Sequence, residues 1–82
     1  MKNRNNETID KAYTVLVNER MYRAKLTPCA MSENYNSIVI ENRDKQIVYT
    51  DIKRDYFTIY ELISTWAVKT FHNVKRLTVV EA

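Results

Sequence analysis

The chain carries one histidine, His72, and one cysteine, Cys29, so any catalytic base, nucleophile pair or metal cluster has to be assembled around them. A Ser-His-Asp triad or a Cys-His couple would need His72, and general acid-base chemistry needs several converging groups. His72 falls at the expected end of a helix, where an imidazolium is favoured simply by the helix dipole. Cys29 and His72 together are two ligands, short of the four that a structural zinc takes. Cys29 follows a proline in an expected loop and reads as a small packed thiol rather than a reactive one. The carboxylates Asp51 and Asp55 flank Lys53 and Arg54. Such a pair could share acid-base work or hold a hard cation, but four interleaved charges in a connection are the ordinary dress of a solvated surface. The chain contains no glycine at all. That excludes the P-loop, the Gly-rich dinucleotide turn and the GXXG clamp, each of which needs a backbone without a Cβ close to phosphate. The expectation is a protein without catalytic residues, cofactor or metal.

What the chain has instead is binding chemistry. Six tyrosines, two phenylalanines and one tryptophan are many aromatics for 82 residues. Tyrosine, tryptophan and arginine supply contact area at low entropic cost and concentrate at protein interfaces. Tyr13, Tyr49 and Trp66 are expected in the core. Tyr22 and Tyr60 fall off the main apolar faces, and Tyr35 and Tyr56 fall in loops. Two runs, Arg20-Met21-Tyr22-Arg23-Ala24-Lys25 and Lys53-Arg54-Asp55-Tyr56-Phe57, combine cations with rings. This composition suits either a protein partner or a phosphate clamp with stacking rings. The candidate partner-binding residues are therefore Arg20, Tyr22, Arg23, Lys53, Arg54, Tyr56 and Tyr60. A basic patch forms if these runs meet Lys75 and Arg76 in space; otherwise the charges are dispersed and solubilising.

Those side chains have to be positioned by elements. From Thr8 to Leu26 the residues Ile9, Ala12, Tyr13, Leu16, Val17, Met21 and Ala24 share one helical face. Acidic Glu7 and Asp10 at its start and basic Arg23 and Lys25 at its end suit the dipole, so a helix is expected. The competing reading pairs Tyr13–Val17 with Tyr22–Leu26 as a hairpin, because Val15, Val17, Thr14 and Tyr22 favour strands. Residues 27–36 read as a loop. Ile38 and Ile40, then Ile47 and Tyr49, alternate on either side of Asn42-Arg43-Asp44-Lys45, which predicts a hairpin with Ile40 facing Ile47 and Ile38 facing Tyr49. Thr58 and Glu61 are spaced as a capping box, with Phe57 and Leu62 placed as a staple, and Ile59, Leu62, Ile63, Trp66 and Ala67 line one face of the helix that follows. That helix ends near Phe71, and a last strand runs from Val74 to Val80.

The expected order is α-β-β-α-β: a two-layer α+β domain with a three-stranded mixed sheet and two helices on one face. The last strand lies parallel to the second by a right-handed crossover. The other sheet face stays open, a natural place for a partner. Residues 1–82 are expected to form one domain, with 1–6 as a disordered tail, and a core this small gains from a partner or a homodimer. The net charge of +3 is a mild bias, with acids interleaved among the bases. One unpaired thiol fits a reducing compartment, and the basic N-terminus leads into no apolar run of signal or membrane-spanning length, so the expected location is the cytoplasm with no membrane partner. Taken together, these features predict a small cytoplasmic regulator or inhibitor, of the sort phages and mobile elements encode by analogy of size, that docks onto a protein. The alternative is a small basic nucleic-acid-binding protein.

Overall fold

The computed structural model describes residues 11–30 and 33–82. Ile9, Glu7 and Asp10, the expected helix start, and the 1–6 tail lie outside the described residues. Tyr13, Val15 and Val17 are buried while Ala12, Thr14 and Leu16 beside them are not, a period of two rather than 3.6. This is strand β1, Lys11–Val17. Asn18 and Glu19 then take φ of 50° and 74°, and the chain returns as β2, Arg20–Pro28. Two consecutive residues at positive φ make the tight hairpin loop whose twist matches the strands on either side. The helix expected over 8–26 is thus replaced by the competing hairpin. An Asn-Glu loop lacks the glycine that advertises such a turn.

Two further strands follow, β3 (Tyr35–Glu41) and β4 (Ile47–Arg54). The loop expected at 27–36 shrinks, because Thr27 and Pro28 belong to β2 and Tyr35 and Asn36 to β3. The hairpin between β3 and β4 is real but slides by two residues: Ile40 pairs with Tyr49 and Ile38 with Asp51, and a bulge then sets Glu41 against Ile47. Its turn explains the slide. Asn42 Oδ1 accepts from the N–H groups of Asp44 (2.9 Å) and Gln46 (3.0 Å), and Lys45 turns the chain at φ 66°. An Asx-stabilised loop with one left-handed residue is longer than the four-residue turn assumed from the pattern.

Helix α1, Ile59–Thr70, starts as the sequence predicts. Thr58 Oγ1 accepts from Glu61 N–H at 3.1 Å, and Glu61 Oε1 accepts from Thr58 N–H at 2.8 Å. Its buried residues are Leu62, Ile63, Trp66 and Ala67, and Phe71 closes it. The last strand, β5, spans Leu77–Glu81 and pairs antiparallel with β1.

The sheet order is β4-β3-β2-β1-β5, with every pair antiparallel. Among the described residues this corrects the expected three-stranded mixed sheet with two helices to a five-stranded antiparallel sheet with one helix. The last strand does run in the same direction as β4, as a crossover requires, but α1 carries the chain over the whole sheet to the far edge. One face of the sheet meets α1 through Tyr13, Val15, Val17, Ala24, Ile38 and Ile40. Tyr49, Leu77 and Val79 pack at its margins. Among the described residues no helix is long and apolar enough to cross a membrane.

Candidate functional site

Because strand side chains alternate, burying Tyr13, Val15 and Val17 forces Ala12, Thr14 and Leu16 onto the opposite face. The pairing registers place Met21, Arg23 and Lys25 of β2 beside them, with Val39 and Glu41 of β3 next, Ile52 and Arg54 of β4 beyond, and Thr78 and Val80 of β5 on the other flank. No described element covers this face. It carries four large apolar side chains at half exposure or more: Met21 at 50%, Ile47 at 62%, Ile52 at 60% and Val80 at 55%. Arg23 and Lys25 stand near its middle on β2, and Glu41 lies directly across from Arg23. A face of apolar spots between cations has the make-up of a binding surface more than of a solvated one.

The sequence-predicted residues scatter. Tyr22 is half-buried on the helix side, edge-on to Trp66 (ring centroids 5.2 Å apart) and to Phe71 (5.8 Å), so it belongs to an aromatic cluster of the core rather than to an interface. The helical period placed it off the apolar face; the strand period places it on. Arg20 and Arg23 lie toward the end of the sheet that holds the β1–β2 and β3–β4 turns. There Arg23 lines one hollow with Arg43, Lys45, Met21 and Glu41, and Arg20 lines an adjoining one with Arg43, Met21, Glu19 and Asp44. Lys75 and Arg76 come to the same end, since the backbone N–H groups of both donate to Asn18 Oδ1.

Lys53, Arg54 and Tyr56 are at the opposite end, so the two basic runs do not merge into one patch. Arg54 lies over Tyr35 with its guanidinium 5.3 Å from the ring centroid and 6.0 Å from that of Tyr56. Tyr60 is exposed on α1. Arg43, Lys45, Lys25 and the apolar residues of the open face were missed. The alternation of Tyr13, Val15 and Val17 was the signal that could have found them.

Asp51, Lys53 and Arg54 sit within β4, not in a connection, and Asp51 gathers three partners. Tyr49 donates its hydroxyl to Oδ2 at 2.7 Å, Ile52 donates its backbone N–H to Oδ1 at 2.7 Å, and Lys53 Nζ lies 3.6 Å from Oδ2. The tyrosine hydrogen bond, followed by the backbone one, holds the Asp51 carboxyl below its ordinary value. Burial first, and then the hydrogen bond to and charge of Asp51, push Tyr49 up to about 12. This network engages both oxygens of the carboxylate. Asp55 lies in the turn after β4, while His72 is exposed after α1 and Cys29 half-buried after β2. Among the described residues, no three His, Cys, Asp or Glu side chains are grouped to hold a metal ion.

Comparisons with protein families, with curated proteins and with solved structures find no match to this chain.

Proposed function

We propose that this chain is a small non-enzymatic binding protein, acting in the cytoplasm as a regulator or inhibitor, that docks a partner protein on the open face of its sheet. The observation that carries the reading is that uncovered face, with Met21, Ile47 and Ile52 exposed around the cations Arg23 and Lys25. Exposed apolar side chains of this size cost solubility unless they serve an interface. The partner surface that fits is apolar with acidic groups near its centre, opposite Arg23 and Lys25, and the single unpaired thiol supports a reducing compartment.

The test is capture from the source cell, purification of the captured protein, and titration of the pair. Ile52→Glu and Lys25→Glu weaken the complex by roughly tenfold or more, about 1.4 kcal/mol. Tyr60→Glu and Val68→Glu on the outer side of α1 leave it unchanged. The reverse pattern would move the site to the helix and sink this reading.

The hollow lined by Arg23, Arg43 and Lys45, with Arg20 in the adjoining one, favours a second reading, nucleic-acid binding. Phosphate contacts make affinity fall steeply with salt. A gel-shift at low salt with single- and double-stranded probes decides it: no retardation removes the second reading.

A further inference from the structure

The two edges of the sheet are built differently. On β4, Asp55 N–H donates to Asn34 C=O at 2.9 Å, so the odd-numbered residues of that strand face β3 and the even-numbered ones present their backbone groups outward. That outward edge is blocked. The Ile52 N–H is taken by Asp51 Oδ1, the bulge leaves Val48 without a cross-strand partner, and Lys53 and Arg54 add charge at the strand's end. Charges and bulges are the devices that keep edge strands from pairing.

On β5 the parity runs the other way. Ala82 N–H donates to Ala12 C=O at 2.8 Å and Asn18 N–H donates to Arg76 C=O at 3.0 Å, so the even-numbered residues face β1. Leu77, Val79 and Glu81 therefore point their N–H and C=O groups outward, and among the described residues nothing pairs with them. The strand Leu77-Thr78-Val79-Val80 carries no charge, no bulge and no proline.

We infer that β5 is a dimerisation edge on which β5 of a second copy pairs antiparallel, with the two-fold axis at Val79. The occupant follows from self-complementarity. Lys75 and Arg76 precede the strand and Glu81 ends it, so antiparallel pairing brings the basic end of each copy to the acidic end of the other. Backbone parity allows only registers that join outward residues, and the one centred on Val79 pairs all five residues of β5. It sets Val79 against the partner's Val79, Leu77 against the partner's Glu81, and Thr78 against the partner's Val80 on the open face. The result is one continuous sheet, doubling the five strands of the described residues, with a doubled open face left free.

Sedimentation equilibrium on the purified full chain tests this without any other partner, so its outcome is independent of the docking reading above. The wild type is expected to sediment at twice the chain mass and dissociate on dilution. Val79→Pro removes a donor that β1 does not use, and makes a monomer. The pair Thr78→Lys with Val80→Lys, both exposed positions, sets lysine against lysine twice and weakens the dimer roughly tenfold or more. Thr78→Lys with Val80→Glu sets opposite charges in the same places and restores it. A wild type that stays monomeric at every concentration overturns the inference, as does a dimer that the lysine pair leaves intact.

Discussion

Asn18 and Arg76, 58 residues apart, hold each other by reciprocal hydrogen bonds: Asn18 N–H donates to Arg76 C=O at 3.0 Å, and Asn18 Oδ1 accepts from Arg76 N–H at 3.1 Å. The same Oδ1 accepts from Lys75 N–H at 2.8 Å, and the Asn18 amide donates to Asn73 C=O. One turn side chain thus fixes where the chain re-enters the sheet after α1. Replacing Asn18 by alanine loses these side-chain bonds and with them the polar group that favours φ 50° at this position. The expected loss is about 1.5–3 kcal/mol in denaturant unfolding. Asn18→Asp keeps the acceptor for Lys75 and Arg76 but turns a second oxygen toward the Asn73 carbonyl in place of a donor, so it should cost less than Asn18→Ala without matching the wild type.

Glu19 and Lys45 hold φ of 74° and 66° with ordinary side chains, in a chain with no glycine to relieve them. Glu19→Gly converts the first hairpin loop to Asn-Gly, the preferred pair for this turn. Relief of backbone strain outweighs the extra freedom glycine gives the unfolded chain, so Glu19→Gly and Lys45→Gly should each raise stability by about 0.5–1 kcal/mol. A fall in melting temperature for both would mean that these two residues do not hold left-handed conformations.

Tyr49 and Asp51 make stability depend on pH at both extremes. The Tyr49 pKa is raised to about 12, so its contribution is whole below the ordinary value of 10.0 and is lost as pH climbs through the folded value. Asp51 is held below its ordinary 3.8, so its contribution is present above that value and disappears as pH falls through the folded one. The Asp51 side chain is 39% exposed, which keeps its share small. Absorbance titration of the tyrosinates should find Tyr49 among the last to ionise, and Asp51→Asn should bring it down while costing about 1 kcal/mol or less.

Tyr22 separates core from interface. Edge-on contacts with Trp66 and Phe71 mean that Tyr22→Ala should destabilise the fold by about 2–3 kcal/mol. Tyr56→Ala and Tyr60→Ala, at exposed positions, should each change stability by less than about 0.5 kcal/mol. Equal effects at all three would contradict the packing.

Reading the sequence succeeded where the physics is local. The capping box at Thr58 and Glu61, the buried stripe of Leu62, Ile63, Trp66 and Ala67, and a turn around Asn42–Lys45 are each set by residues within a few positions of one another, and the structure contains them. The burial of Tyr13 and Trp66 was legible too. The segment 8–26 was not, because its apolar residues satisfy both periods and its turn is made by Asn18 and Glu19 rather than by glycine. What chose the strand was tertiary: Tyr13, Val15 and Val17 bury completely only when β5 and β2 flank them and α1 covers them. The same long-range pairing set the β3–β4 register, sent β5 to the edge beside β1, and turned Tyr22 inward. The chain by itself determined its helix and its stock of aromatic and basic side chains. Which of those side chains share a surface was decided by strand pairing across the whole chain, since a contact between residues 18 and 76 leaves no trace in the pattern of near neighbours.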